Sequence, residues 1–248
     1  MAIPSSGPIR FTDLKNTFNL GNNLGNYYRG TGHVPNVPQD ANVPTSGAIS
    51  FSKFYGATNV FVYNFSLASG TNATNLNLKT NALAAGWDSV TPIQINVTIG
   101  GVLGSTSPSL YAFSTGGITN ATIVVTVNSG GYITGAGGPG NATGTAGPAM
   151  FVDAPIVLKN SGVVQSGGVG GSGGSGGFGG GGAGYFPGPG AGTGGTGSLT
   201  SGGSGGYNSG KGTTNGSPGS GPGAGVAIQG VSKVTFSPVG TILGSQVG

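Results

Sequence analysis

Ser166-Gly167-Gly168-Val169-Gly170-Gly171-Ser172-Gly173-Gly174-Ser175-Gly176-Gly177-Phe178 opens the stretch on which the fold turns. Residues 166–225 hold thirty glycines in sixty positions, and Lys211 is their only charged residue. The glycines keep a period. Gly167, Gly170, Gly173, Gly176, Gly179 and Gly182 fall on one three-residue column, and Gly168, Gly171, Gly174, Gly177 and Gly180 on a second. A period of three belongs to the polyproline II type of backbone, which rises about 3.1 Å per residue and has no hydrogen bonds of its own. Its N–H and C=O groups must then pair between strands, and glycine on the inward columns leaves no Cβ to hold the backbones apart. Composition alone also fits a flexible glycine-serine linker. The strict period, the fixed φ of Pro187, Pro189, Pro218 and Pro222, and a patterned strand after the tract favour order. Collagen fits worse, because the register slips, for example at Tyr185. The tract is expected to form several short polyglycine II strands from one chain, bundled side by side.

The whole chain has 248 residues, no cysteine, one histidine, one tryptophan and four acidic residues, all aspartate. Only 5% of it is charged. Its mean hydropathy of +0.10 argues against ordinary disorder, which goes with high charge and low hydrophobicity. Without cysteine there are no disulfides, thiolate metal sites or cysteine nucleophiles. The eight basic residues are spread along the chain, so no electrostatic footprint for nucleic acid forms, and the tract lacks the arginines of RNA-binding glycine-rich segments. No basic segment followed by an apolar run opens the sequence, which argues against a signal peptide, and no apolar run approaches a membrane span.

Residues 1–56 contain a repeat at an offset of forty. Ile3-Pro4-Ser5-Ser6-Gly7-Pro8-Ile9-Arg10-Phe11-Thr12-Asp13-Leu14 aligns with Val43-Pro44-Thr45-Ser46-Gly47-Ala48-Ile49-Ser50-Phe51-Ser52-Lys53-Phe54. Each copy reads as a turn and short strand, with Thr12 or Ser52 capping a helical turn. Leu24-Gly25-Asn26-Tyr27-Tyr28-Arg29-Gly30 is a degenerate third copy that echoes Phe54-Tyr55-Gly56. Such units are too small to bury their apolar side chains alone, so Ile9, Phe11, Leu14, Ile49, Phe51, Phe54 and Tyr55 are expected to form a docking arm. A compact mini-domain is the alternative.

From Asn59 onward the pattern is β. Phe61, Tyr63, Phe65 and Leu67 alternate, as do Ile93, Ile95, Val97 and Ile99, which gives each strand one buried face. Thr80–Gly86 is the one helical candidate, with Trp87 as a core anchor beside it. A second repeat follows: Ile123–Thr134, Pro155–Ser166 and Lys233–Gly244 each read as strand, polar turn, short strand and glycine exit. After the first copy, Gly135, Gly138, Gly144 and Gly147 again sit on a three-residue column, broken at Asn141. The expected fold is mostly β. It has a docking arm at 1–56, a small β-sandwich-like domain at 57–130, a polyglycine II bundle with interleaved β units at 131–230, and closing strands at 231–248.

Catalytic motifs match too easily in a glycine-rich chain. Gly190, Gly192 and Gly195 satisfy a dinucleotide fingerprint, and Gly205 to Lys211 a phosphate loop, but neither has the strand-to-helix context, and Gly212 stands where a metal-binding hydroxyl is needed. Ser172, Ser175 and Ser204 each match a nucleophile elbow. A general acid or base has to come from His33, Asp13, Asp40, Asp88 or Asp153, which are scattered. No metal, cofactor or catalytic residue is expected.

The two N-terminal copies, ending Phe51-Ser52-Lys53-Phe54-Tyr55-Gly56, resemble a short motif of structural proteins of tailed bacteriophages. Asn81-Ala82-Leu83-Ala84-Ala85-Gly86-Trp87 and the Asn-Ser-Gly units that open into glycine tracts resemble glycine-rich phage tail-tip and tail-fibre adhesins. In the similar T-even tip adhesins a polyglycine II bundle presents loops to the bacterial surface; the present sequence differs in its amino-terminal arm. The resemblance implies a virion tail protein whose partners are other phage tail proteins and a bacterial receptor, either a glycan or an outer-membrane protein. It leaves a homo-oligomer open. The aromatic residues between glycine runs, Phe178, Tyr185, Phe186 and Tyr207, with Lys211, are the candidate receptor contacts. A purely structural tail component and an ice-binding polyglycine II protein are the alternatives.

Overall fold

The computed structural model describes residues 3–19, 23–141, 146–171, 198, 201, 217–221 and 223–248, and the backbone of 177–178 and 206–207. The chain forms two units. The first comprises Met1–Tyr63, Thr80–Ile95 and Asn120–Thr122; the second comprises Asn64–Lys79, Asn96–Thr119 and Ile123–Gly248.

In the first unit the repeat copies bury their apolar side chains against one another. Helix α1 (Phe11–Phe18) starts where the Asp13 carboxylate accepts the Arg10 N–H at 2.7 Å, and it ends at Asn19, left-handed with φ 54°. Leu14, Phe18, Tyr27, Val34, Val43, Phe54 and Ile3 share one core. Tyr27 meets Phe11, Phe18 and Phe54 edge to face, with centroids 5.8, 6.2 and 6.2 Å away, a geometry that adds attraction between ring edge and ring face. Each copy alone is too small to bury its apolar side chains; interlocked, the copies supply enough surface for a core. Helix α1 is capped at Arg10, and the 3-10 turn Phe51–Phe54 at Ser50, both earlier than the Thr12 and Ser52 expected from sequence. Helix α2 spans Leu78–Ala84, and buried Trp87 donates its indole N–H to the Thr91 carbonyl at 2.7 Å.

The strands form a stack of coils. Among the described residues, coil 1 contains β1 (Phe61–Leu67), β2 (Asn72–Thr74) and β3 (Leu76–Asn77). Coil 2 contains β4 (Ile93–Ile99), β5 (Val102–Gly104) and β6 (Phe113–Ser114). Coil 3 has β7 (Ala121–Val127), β8 (Tyr132–Thr134) and β9 (Met150–Phe151). Coil 4 has β10 (Ile156–Asn160), β11 (Val163–Gln165) and β14 (Val226–Gln229), with an antiparallel pair, β12 (Gly177–Phe178) and β13 (Gly206–Tyr207), between the last two. Coil 5 has β15 (Val234–Phe236), β16 (Thr241–Leu243) and β17 (Ser245–Val247). Each coil gives one strand to each of three sheets, ordered β1-β4-β7-β10-β15, β2-β5-β8-β11-β16 and β3-β6-β9-β14-β17.

Pairing is parallel through β7-β10-β15 and along the second and third sheets. This β-helix arrangement replaces the expected β-sandwich. Alternating burial is common to both, and the polar turns that look like hairpin turns instead carry the chain to the next sheet of the same coil. The repeat copies are coils 3, 4 and 5: Ile123, Ile156 and Val234 lie in register. Stacking makes like positions into interior columns, such as Leu103, Ile133, Val164 and Ile242, or Leu76, Phe113, Met150 and Ile228. Each fully buried member contributes about 1.5–3 kcal/mol.

At the turn before the second sheet, Gly101, Gly131, Gly162 and Gly240 repeat from coil to coil. A Cβ on Gly101 would lie 2.0 Å from the Thr71 oxygen, and on Gly131 or Gly162 2.3 Å from the backbone oxygen of the coil before. Backbone cannot yield as a side chain can. Gly131→Ala is therefore expected to destabilise the protein by about 2–3 kcal/mol, read as a lower midpoint in denaturant unfolding.

Asp40 is fully buried in the first unit; one carboxylate oxygen accepts the Thr58 N–H at 2.9 Å and the other has no partner. Burial pushes its pKa up to about 6, against the opposing pull of the Thr58 hydrogen bond and the Arg29 charge. A raised folded-state pKa means that the folded protein binds the proton more tightly than the unfolded chain. The stability this contributes is present below about pH 4 and lost as pH rises through about 6. Asp40→Asn is expected to abolish that slope, worth about 1–2 kcal/mol after solvent screening, in melting curves recorded between pH 4 and 7.

Candidate functional site

Every coil passes from its second to its third sheet at the same corner, and there the connections differ in length. Asn75 suffices in coil 1 and Gly244 in coil 5, whereas coil 2 inserts 105–112, coil 3 inserts 135–149 and coil 4 inserts 166–225. The glycine-rich tract is thus the largest of a set of insertions at one corner of the stack. Its ends are pinned: the Gly225 N–H donates to the Ser166 hydroxyl at 2.9 Å, and Ser166 is fully buried. The coil 2 insertion is laid on the third sheet by Tyr111, whose ring stands 5.2 Å from that of Phe151 and whose hydroxyl bonds Gln229.

Where the insertions leave the second sheet, the hydrogen bonding changes period. The amides of Gly135, Gly138 and Asn141 donate to the carbonyls of Gln165, Gly168 and Gly171 at 2.9, 2.8 and 2.8 Å. This is a parallel ladder with a step of three on both strands, and its donors are Gly135 and Gly138 of the glycine column and Asn141, the residue that breaks it. The amides of Ser220 and Gly223 donate to Val169 and Ser166 at 3.0 and 3.3 Å, an antiparallel ladder also with a step of three. On the remaining column, the Gly167 N–H donates to Gly147 at 2.8 Å. Apart from the Ser166 N–H, which donates to Leu243 at 3.0 Å, segment 165–171 therefore faces three neighbouring segments, one for each column. A Cβ on Gly135 would fall 1.9 Å from the Gly147 oxygen, and one on Gly167 1.9 Å from that of Ala136.

The candidate contact residues are placed unevenly. The pairing of β12 with β13 brings the backbones of Phe178 and Tyr207 together, Gly177 opposite Tyr207 and Phe178 opposite Gly206. Tyr185, Phe186 and Lys211 lie outside the described residues. Of the candidate docking residues, Leu14 and Phe54 are fully buried in the first unit's core, Ile9, Phe11 and Ile49 are half-buried against it, and Phe51 and Tyr55 are each 37% exposed.

The four aspartates are engaged in backbone contacts. Asp13 caps α1, Asp40 accepts from Thr58, and Asp153 accepts the Gly117 N–H at 2.9 Å. Asp88 lines a cleft of about 410 Å³ with His33, Asn36 and Asn59. Burial pushes the Asp88 pKa up, but bonds from Thr91 and the Val90 N–H outweigh it, and the carboxyl is held below its ordinary value.

The family described as phage tail fibre adhesin Gp38 matches residues 62–247, more than half of the sequence and all but the first residue of the coil stack. The chain belongs to that family. This adhesin is a receptor-binding protein of the phage tail, and its place is the virion. No curated protein matches it. Among solved structures it is similar to a chain of the crystal structure of the gp37-gp38 adhesin tip complex of the bacteriophage S16 long tail fiber, with a TM-score of 0.57 and 21% identity over 99% of this chain and 100% of that one. At that identity the likeness speaks for the fold.

If the three-neighbour packing holds the adhesin's insertions together, Gly167→Ala should open it locally. Amide exchange at Gly138 and Asn141 is expected to rise at least tenfold, while the fluorescence of Trp87, in the first unit, keeps its native melting transition.

Proposed function

We propose that this adhesin docks on a fibre protein through its first 56 residues, and that its glycine-rich insertion is a polyglycine II bundle whose loops bind the bacterial surface. The observation that carries the reading is segment 165–171, whose three columns of residues each face a different neighbour. A β-strand bonds to neighbours on two sides in one plane, whereas a threefold backbone helix points its groups in three directions. The ladder donors at 135, 138 and 141 continue the spacing of the glycine columns farther along the tract.

The docking partner is proposed to be a tail fibre protein; the similar structure is a gp37-gp38 adhesin tip complex of a long tail fiber. Phe51 and Tyr55, with Ile9, Phe11 and Ile49 beside them, form the docking surface, and Leu14 and Phe54 support it from the core. Phe178, Tyr185, Phe186, Tyr207 and Lys211 are the receptor contacts, the rings supplying contact area at little loss of side-chain entropy. The receptor is a glycan or an outer-membrane protein of the host. The protein acts by binding and not by catalysis, which agrees with four aspartates each engaged with backbone N–H groups.

Replacing Tyr185, Phe186, Tyr207 and Lys211 together by serine is expected to leave folding and virion incorporation unchanged and to lower adsorption to host cells at least tenfold. Normal adsorption by correctly assembled particles would remove these residues from the binding site.

A further inference from the structure

The first unit holds the cleft of about 410 Å³ that neither the docking surface nor the tract uses, and every residue lining it belongs to that unit. Its two walls are fixed for separate reasons. One wall is the loop 30–36. The Gly30 N–H donates to the Val34 carbonyl at 2.9 Å, and Thr31 gives both its N–H and its hydroxyl to the Tyr28 carbonyl, at 3.3 and 2.7 Å. Gly30 and Gly32 are left-handed, with φ of 82° and 101°, which lets the loop close in so few residues. The Asn36 side chain lies over Gly30, its Cβ 3.6 Å from where a Cβ on that glycine would stand. The other wall is 88–92. Ser89 is left-handed at φ 65°, an uncommon state for a residue other than glycine. The turn sets the N–H groups of Val90 and Thr91 on the Asp88 carboxylate at 3.0 and 2.8 Å, with the Thr91 hydroxyl at 2.7 Å. The Trp87 indole holds the Thr91 carbonyl in turn, and the Phe61 N–H holds that of Pro92 at 2.8 Å. Val90 is left 78% exposed at the rim.

The lining decides what can enter. Burial raises the Asp88 pKa, but the bonds from Thr91 and Val90 hold it below its ordinary value, so the carboxylate is ionised. Among the described residues no lysine or arginine lines the cleft to balance it, and anions are disfavoured. A wholly apolar ligand would strip water from the carboxylate and the Asn36 amide without replacing the hydrogen bonds. A lone cation would meet a carboxylate whose charge three protein donors already share, and it has no acceptor for the amide N–H groups. A hydroxyl gives and accepts, so it suits both groups. Pro35, Val90 and Pro92 add apolar surface for C–H groups. A ring with hydroxyls at its edge and C–H groups on its face is a sugar, and the volume lies within the range of about 300–1,000 Å³ for small-molecule sites.

We propose that this cleft is a saccharide site that takes one uncharged pyranose residue of a glycan, the Asp88 carboxylate and the Asn36 amide holding its hydroxyls and Val90 lying against its C–H face. None of its residues is among the proposed receptor or docking contacts. It gives the adhesin a sugar contact that does not depend on the glycine-rich tract.

The test is a titration of the isotopically labelled full-length protein, followed by its amide resonances, with glucose, galactose and mannose and with the uronate and the protonated amino sugar of each. The expected result is that at least one neutral sugar shifts the amides of Gly32, His33, Val90 and Thr91 in a saturable way, and that its uronate binds at least tenfold more weakly. Asp88→Asn is expected to lower the affinity at least tenfold. If that change loosens the turn, seen as displaced Trp87 and Thr91 amides without sugar, Asn36→Ala probes the opposite wall, where a loss of about threefold or more is expected. No saturable shift at the cleft amides with any of the three neutral sugars, or shifts confined to amides elsewhere, would overturn the proposal and leave the tract's receptor contacts as they stand. An amino sugar bound at least tenfold more tightly than every neutral one would overturn the assignment of ligand class. Unchanged affinity in both variants would count against the cleft as the site.

Discussion

The coil stack depends on close backbone approach at one turn. Each coil must come back over the coil before it, and at the entry to the second sheet the backbones lie so near that a Cβ on Gly101, Gly131 or Gly162 would sit 2.0 to 2.3 Å from a backbone oxygen. Glycine there is a steric requirement. The same approach lets the Tyr132 and Val163 amides reach Gly101 and Gly131 at 2.9 and 3.0 Å, which sets the register of the short strands that follow. With register fixed at the turn, Leu103, Ile133 and Val164 fall into one interior column. Packing then adds energy to an arrangement that backbone geometry has already selected.

That register is passed on to the insertions. β8 and β11 pair residue by residue, Tyr132 with Val163 through Thr134 with Gln165. Beyond them the constant offset between the two segments is kept, but the bonds step by three, from Gly135 to Gln165 and from Gly138 to Gly168. The hydrogen-bond step changes without a change of partner. Side chains explain where this happens: Ile133 and Val164 fill the stack interior, and a few residues later glycine removes the need for one. Segment 165–171 can then take neighbours on three sides instead of two.

Much of this was legible in the sequence, because the repeats and the glycine period are periodic signals. The copies at Ile123, Pro155 and Lys233 are coils, and Gly135 and Gly138 of the glycine column supply ladder donors, as does Asn141 where the column breaks. The first two coils escaped notice because their insertions are short and α2 interrupts the pattern; the shared cue was the turn, Ser69-Gly70, Gly100-Gly101 and Ser129-Gly130-Gly131. Strand direction was not legible, since alternation such as Ile93, Ile95, Val97 and Ile99 records which face is buried and not which neighbour is paired. The burial of Leu14 and Phe54 depended on contacts between copies, which the spacing within one copy cannot reveal. Of the proposed site, residue types were readable, but Tyr111 and Gln229 meet across 118 positions of sequence, beyond any local pattern.

An adhesin faces a requirement that most folds serve poorly: its contact surface must change while its scaffold stays. In the described insertion segments the ladders run almost wholly between backbone groups, so they need glycine at the tight columns and little else of the sequence. Half-buried Val169 joins its ladder through the backbone, and its side chain takes no part in the pairing. Loops that leave such a scaffold are free to vary without altering the bonds that hold it. The scarcity of charge follows from the same logic. Close-packed backbones offer no solvated space for an ionised side chain, and an unpaired charge among them would cost several kcal/mol.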